Sequence, residues 1–334
     1  MSNESPAERL RLTRRALLAI GLGSGASPFA ALAADDRFPS RPLTIIVPYP
    51  PGGSNDLFAR VISEQLGHRF GQPVIVENRP GAGGLIGLGF VARAPADGYT
   101  LALVSSSFTT AAAVQPKLPF DPVRDFQPVA RINSSPLVVL ASLRVGAANL
   151  QEFIAIARRR PRTLNYGSSG VGSVNQFAAE LLAGAAGIQL VHVPYRGMTP
   201  ALSDLAGGQI DMVITSYSSA QAFLADHRVV ALATTGSERM PGLPDVPTCR
   251  EAGLPNFTLS GWAGILAPGR TPAAVVAQLN EAINEGMASP EGRKALAGDG
   301  STFQPLTPAA FTREVHEDLA RWREIATAKN IQAE

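Results

Sequence analysis

Short apolar runs rich in β-branched residues alternate along the chain with longer segments whose apolar positions repeat at helical spacing. The short runs predict buried strands, at residues 43–47, 74–76, 100–104, 137–141, 190–193, 210–214 and 229–233. A helical stripe with i, i+4 spacing is clear at Val275, Leu279, Ile283 and Met287. Strands alternating with helices predict an α/β architecture with largely parallel sheets that are covered on both faces.

Composition agrees with a folded, sizeable core. The chain has 334 residues, of which 45% are hydrophobic and 17% charged, and this length predicts about two domains. Cys249 is the single cysteine, so no intramolecular disulfide and no cysteine-based metal centre is expected. The four histidines lie far apart in sequence, without the spacing of metal ligands.

The first 33 residues have the pattern of an export signal. Four arginines precede a modestly apolar stretch that ends in Ala31-Leu32-Ala33, a typical cleavage site, and Arg14-Arg15 predicts a twin-arginine-like signal. Several glycines and serines make this stretch too polar for a membrane anchor. Because Cys249 lies far from the cleavage site, a lipid anchor is not expected.

The small net charge of +2 is located in this leader, which holds four arginines and two glutamates. The remaining chain is therefore formally neutral. Since nucleic-acid-binding domains carry a basic stripe, no nucleic-acid partner is expected. The export signal predicts a periplasmic protein.

Loops rich in glycine and serine precede several predicted helices, at residues 49–56, 78–87, 166–175 and 194–200. Free N–H groups at a helix start form an anion site, and Ser54 or Asn55 is a suitable N-cap with Asp56 in the first turn. The loops match neither the G-x-S-x-G nucleophile elbow nor a phosphate-binding P-loop, and the glycine spacing argues against a dinucleotide fingerprint. No cofactor is expected. We interpret His192, within a strand, as structural and Cys249 as inert.

At these loops the sequence resembles a known family, the Bug-type receptors, which are the extracytoplasmic solute-binding proteins of tripartite tricarboxylate transporters. The opening motif is Val-Pro-Tyr-x-x-Gly-Gly-x-x-Asp-x-x-Ala-Arg at residues 47–60, and the second is Glu-Asn-Arg-Pro-Gly-Ala-Gly-Gly at 77–84. Further motifs follow in the same order at residues 95–101, 118–122, 165–168, 192–201, 243–248 and 251–255. The resemblance extends over residues 37–330.

The resemblance implies a two-lobed periplasmic-binding-protein fold of type II, a Venus flytrap with two crossovers between the lobes. The crossings are expected near residues 126–136 and 257–267. Lobe 1 would then comprise residues 38–133 and 260–334, and lobe 2 would comprise residues 134–259.

The resemblance also implies a binding site between the lobes in which loop amides, hydroxyls and helix ends hold a carboxylate. The contacts expected from lobe 1 are Tyr49, Gly53, Ser54, Asp56, Ser106 and Ser107. The contacts expected from lobe 2 are Ser168, Ser169, Gly172, Ser173, Tyr195 and Ser216. Gln176 stands where members of the family often have histidine, and Arg196 where many have lysine.

The function implied is that of a monomeric receptor that captures a small carboxylate and delivers it to a membrane permease, without catalysis. The ligand could be a dicarboxylate, a tricarboxylate, an acidic amino acid or an aromatic acid. A carboxylate sensor for a signalling partner would have the same fold and site. A secreted α/β hydrolase that uses Ser169 or Ser173 is the enzymatic alternative, and it would need His192 beside that serine.

Overall fold

The computed structural model describes residues 38–115 and 117–332. The predicted export signal at residues 1–33 lies outside the described residues. None of the described helices combines the length and the apolar character that a membrane crossing needs. The elements below all lie within the compact unit that begins at Arg41.

Nine strands and ten α-helices alternate along the described chain. The strands are β1 (Leu43–Val47), β2 (Val74–Asn78), β3 (Thr100–Ser105), β4 (Phe126–Ser142), β5 (Asn165–Ser168), β6 (Val191–Pro194), β7 (Met212–Ser216), β8 (Val229–Thr234) and β9 (Ser260–Pro268). The helices are α1 (Ser54–Phe70), α2 (Leu85–Ala92), α3 (Ser107–Val114), α4 (Leu150–Arg159), α5 (Val174–Ala186), α6 (Met198–Ala206), α7 (Tyr217–Ala225), α8 (Ala273–Ala288), α9 (Pro290–Asp299) and α10 (Pro308–Ala328).

The strands follow the order β2-β1-β3-β9-β4-β7-β5-β6, with β8 paired to β4. The long strand β4 joins two groups of strands. Its first part pairs with β9, from Phe126 opposite Pro268 to Pro136 opposite Ser260. Its last part, from Leu137, lies between β7 and β8. The segments expected to cross between lobes thus form the first part of β4 and most of β9.

The predicted α/β alternation is confirmed, but the prediction of largely parallel sheets is wrong. Parallel pairs join β1 to β2 and β3, and β5 to β6 and β7. Every pair that includes β4 or β9 is antiparallel. The strands β4 and β9 connect the two groups and run in opposite directions to each other. The apolar pattern missed residues 126–136, which contain two prolines and five polar side chains. A register shift after Pro128 accommodates the missing N–H donor.

Hydrophobic cores among the described residues lie on either side of this connection, and two of them concern the link between the two groups of strands. The first core is built around β1, β3 and β9 and includes Phe108, Phe126 and Leu266. The second core is built around β5 and β7 and includes Phe153 and Phe177.

The last helix, α10, contributes to both cores. Phe311 and Val315 belong to the first core, whereas Trp322 and Ala326 belong to the second. The Trp322 ring lies 5.1 Å from the ring of Phe177 on α5. The chain is therefore linked across the two cores by β4, β9 and α10.

Candidate functional site

A cavity of about 260 Å³ lies among β4, β9 and the beginnings of several helices. Five helices contribute residues from their N-cap or first turn to its wall. These residues are Ser54 and Asn55 of α1, Ser106 before α3, Val174 and Asn175 of α5, Met198 of α6, and Ser216 and Ser219 at α7. Helix N-termini carry a partial positive charge and unpaired N–H groups. The convergence of five such ends makes this wall suited to a carboxylate.

The two crossing strands supply another wall, with Asn133 and Ser135 from β4 and Gly261, Trp262 and Ala263 from β9. Asn133 is held in place because its Oδ1 accepts a hydrogen bond of 2.7 Å from the backbone N–H of Ala263. Trp262 is fixed by a 2.7 Å hydrogen bond from its Nε1 to Asp318 Oδ2. Burial raises the pKa of Asp318, although the bond from Trp262 opposes this effect.

Some hydroxyl groups at the cavity remain available for a ligand, among them those of Ser135 and Ser106. The Ser135 Oγ atom is buried and has no hydrogen-bond partner among the described residues. The Ser106 hydroxyl likewise makes no hydrogen bond to the described part of the chain, whereas the backbone N–H of Ser106 donates to Trp262 O. A buried hydroxyl without a partner costs free energy, which a ligand atom would recover.

Asp299 is the one ionisable residue among the described residues that line the cavity. It is the last residue of α9, and only 3% of its surface is exposed. Its Oδ1 accepts a hydrogen bond of 2.9 Å from the Ser218 hydroxyl, and its Oδ2 accepts one of 3.3 Å from Asn133 Nδ2. The Ser218 hydroxyl is also hydrogen-bonded to that of Ser54, at 2.9 Å.

The loop before α1 positions the predicted residues in different ways. Ser54 lines the cavity, but the N-cap is Gly53, which makes no side-chain cap, so the expected capping by Ser54 or Asn55 is wrong. Tyr49 does not line the cavity. Its hydroxyl lies 3.0 Å from Ser105 Oγ and accepts a 3.2 Å hydrogen bond from Ser105 N–H, so it supports the end of β3.

Asp56 also lies behind the cavity wall, in the first turn of α1 as predicted. It accepts hydrogen bonds from Gly52 N–H, from Arg60 Nε and from Asn78 Nδ2. Burial alone would raise the pKa of Asp56, but the bonds from Arg60, Asn78 and Gly52 outweigh it and hold the pKa below its usual value. Asp56 therefore fixes the conformation of the loop before α1.

Ser106 and Ser107 are both predicted ligand contacts, but only Ser106 lines the cavity. Ser106 precedes α3 and lines the cavity. Ser107 is the first residue of α3, and its N–H donates to Ser105 Oγ at 3.4 Å. Ser105, which the sequence did not single out, lines the cavity in its place.

The loop before α5 uses its predicted polar groups internally. The Ser169 hydroxyl donates to Asn175 Oδ1 at 2.7 Å, and the Ser173 hydroxyl donates to Gly170 O at 2.7 Å while it caps α5. Gly172 has φ +78°, and a Cβ atom there would collide with Val114 of α3. None of these three residues, nor Ser168, is among the residues of the described chain that line the cavity.

Ser168 ends a chain of hydrogen bonds that includes His192. Gly172 N–H donates to Gln176 Oε1 at 2.8 Å, and Gln176 Nε2 lies 3.3 Å from His192 Nδ1. The amide is thus oriented to donate to Nδ1, which places the histidine proton on Nε2, 2.6 Å from Ser168 Oγ.

Because Nε2 donates to Ser168, His192 cannot take a proton from that serine. Burial also lowers the pKa of His192, which favours the neutral ring, and Ser168 is fully buried. The interpretation of His192 as structural is confirmed. Cys249 is buried as well, and burial raises the pKa of its thiol to about 12, so it carries no thiolate at neutral pH.

Tyr195 and Ser216 complete the predicted set. The Tyr195 hydroxyl donates to Asp204 Oδ2 at 2.7 Å, and burial together with this contact raises the pKa of Tyr195 to about 12. Tyr195 does not line the cavity, whereas Ser216 does. Three of the predicted side chains therefore meet at the cavity, namely Ser54, Ser106 and Ser216.

Several cavity residues were missed by the sequence reasoning. Asn133 and Ser135 lie in a segment whose polar pattern did not suggest a strand, and Asp299 lies far along the chain in no motif. Asn175 ends the predicted loop at residues 166–175, and its sequence gives it no role of its own. Within residues 38–115 and 117–332, no group of His, Cys, Asp and Glu side chains forms a metal-binding cluster.

Comparison with known proteins agrees with this architecture. The family described as tripartite tricarboxylate transporter family receptor matches residues 58–331. Protein BugT of Bordetella pertussis is 35% identical over 310 residues, which cover 92% of this chain and 95% of BugT.

Two solved structures show the same fold. The periplasmic binding protein BugD is 29% identical with a TM-score of 0.76, and the match covers 89% of this chain and all of BugD. MatC from Rhodopseudomonas palustris with bound malate is 35% identical with a TM-score of 0.75, and the match covers 86% of this chain and 99% of MatC. The two-lobed periplasmic-binding-protein fold with two crossovers is confirmed. This chain belongs to the receptor family of the tripartite tricarboxylate transporters.

Proposed function

We propose that this receptor works in the periplasm, where it captures a small carboxylate in the cavity between its two lobes and delivers it to a membrane permease. Lobe 1 would comprise residues 38–133 and 260–334, and lobe 2 residues 134–259. The observation that carries the proposal is the convergence of five helix N-termini on one cavity without a lysine, arginine or histidine among the described lining residues. The malate bound to MatC supports the same ligand class.

The proposed interactions are sufficient for ordinary receptor affinity. Each hydrogen bond to a charged carboxylate contributes about 1.5–3 kcal/mol, and each helix end about 0.3–1 kcal/mol. Several of these, less the costs of association and lobe closure, reach about −8 kcal/mol, which corresponds to micromolar binding.

The hydrogen bonds of the serines support binding rather than catalysis. Ser168 accepts a hydrogen bond from His192 Nε2 instead of donating one to it, while Ser169 and Ser173 donate to Asn175 and Gly170 within their own loop. The hydrolase alternative requires a serine activated by a base, and these three side chains lack that arrangement.

The test is calorimetric titration of the purified protein, first stripped of bound ligand by unfolding and refolding, with malate, succinate, adipate and citrate. We expect at least one of them to bind with micromolar affinity. The Ser135→Ala variant should keep its stability, because its hydroxyl has no partner, and should bind that carboxylate more weakly.

Ser237→Ala, at an exposed serine, is the matched control and should bind as the unaltered protein does. If no carboxylate binds, the proposal is wrong. Retention of full affinity in Ser135→Ala would remove that hydroxyl from the site.

A further inference from the structure

Asp299 poses an electrostatic problem for a receptor of anions. It is buried at the cavity, and it forms no ion pair with any described residue. Its two hydrogen-bond donors, Ser218 and Asn133, are neutral. A buried carboxylate without a cationic partner is costly, and an anionic ligand beside it would add repulsion.

The cavity combines helix ends that favour opposite charges. The beginnings of α1, α3, α5, α6 and α7 favour negative charge. The C-terminal end of α9, where Asp299 lies, favours positive charge, and Asp299 contacts the first turn of α7 through the Ser218 hydroxyl.

We infer that the ligand carries an ammonium group in addition to its carboxylate, and that Asp299 is the residue that selects it. The inference rests on the proposed function, which it refines from carboxylates in general to amino carboxylates. A zwitterionic ligand would place its carboxylate against the helix N-termini and its ammonium group against Asp299.

The hydrogen bonds of Asp299 leave room for such a group. A carboxylate offers about four acceptor sites, and Asp299 uses one on each oxygen, for Ser218 and Asn133. These two donors fix the orientation of the carboxylate but leave its charge without a counterion. An ammonium group would supply both the charge and further donors.

The test compares ligands that differ only in the amino group, by calorimetric titration of the full chain. The pairs are L-aspartate with succinate, L-glutamate with glutarate, and 4-aminobutyrate with butyrate. We expect at least one amino compound to bind ten times more tightly than its partner. This comparison needs no variant, so it does not depend on the folding of a mutant.

The Asp299→Asn variant then identifies the residue. Its amide has nearly the same shape, and we expect the preference for the amino compound to fall below threefold, with tighter binding of the compound that lacks the amino group. A merely structural role for Asp299 would weaken both members of a pair alike. Glu291→Gln, at an exposed residue in the first turn of the same helix, is the matched control and should keep the full preference.

The outcomes separate this inference from the proposed function. If the compounds without an amino group bind as tightly as the matching amino compounds, the inference is overturned, but the proposed function as a carboxylate receptor is retained. An unchanged preference in Asp299→Asn also overturns it. If no carboxylate of either kind binds, the proposed function itself fails.

Discussion

The loops before α1 and α5 have similar sequences and opposite uses. Both are rich in glycine and serine, and both lead from a strand into a helix. In the first loop, Asp56 binds Gly52, Arg60 and Asn78 from behind, so Ser54 and Asn55 are left at the cavity. In the second, the hydroxyls are used within the loop, and only Val174 and Asn175 reach the cavity. A serine-rich loop is therefore a ligand site only where other residues stabilise it.

The largest expected effect comes from a glycine in the loop before α5, and a glycine in the loop before α1 serves for comparison. Gly172→Ala should lower the free energy of unfolding by about 2–4 kcal/mol, because the new Cβ atom would occupy a left-handed conformation and collide with Val114. Gly53→Ala, where the same atom would meet open space, should change stability by less than about 0.5 kcal/mol. Urea unfolding measures both, and equal losses would remove the contrast between the loops.

Ser168→Ala breaks the hydrogen-bond chain of the second loop at its end. The Nε2 proton of His192 would lose its acceptor in a buried place, which should cost about 1–3 kcal/mol of unfolding free energy. Thermal and urea unfolding are the measurements. A variant as stable as the unaltered protein would show that this chain does not stabilise the loop.

Asp56 provides a pH-dependent test of the first loop. Its folded-state pKa is lower than its unfolded value, so its contribution to stability is fully present above pH about 4 and is lost as the pH falls through the folded pKa. Asp56→Asn should cost about 1–2 kcal/mol at pH 7.

The difference between Asp56→Asn and the unaltered protein should shrink steadily in unfolding experiments between pH 5 and pH 2. Asp226→Asn, at an exposed carboxyl, is the control. A constant difference over this range would show that the charge of Asp56 does not organise the loop.

The smallest effects distinguish binding from stability. Asn55→Ala should weaken carboxylate binding by about 0.5–1.5 kcal/mol without a change in stability, because the Asn55 side chain lines the cavity. Ser169→Ala should do the reverse, since its hydroxyl serves Asn175. Calorimetric titration measures the affinity of both variants, and urea unfolding measures their stability. A loss of affinity in Ser169→Ala but not in Asn55→Ala would show that the loop before α5, and not the loop before α1, contacts the ligand.

The sequence predicts the elements better than the contacts. Apolar periodicity located β1, β3 and β8 closely because each is a compact buried run. It missed the first part of β4, where prolines and polar residues face neighbours supplied by β9, more than a hundred residues later.

The same limit holds for the candidate site. Family motifs located the loops, but the direction of a hydroxyl depends on partners that are distant in sequence. Ser168 meets His192, Ser54 meets Ser218, and Ser218 meets Asp299. No local pattern records such pairings, and for this reason the loop before α5 was expected to face the ligand.

The placement of α10 has a mechanical consequence. Two strands alone would form a hinge about which the two cores could bend and twist. The helix adds a stiff third strut, seated by Phe311 in one core and by Trp322 in the other, about 16 Å apart along its axis. Three connections resist torsion that two adjacent strands would allow, so a twist of one core against the other would have to displace Phe311 or Trp322 from its core.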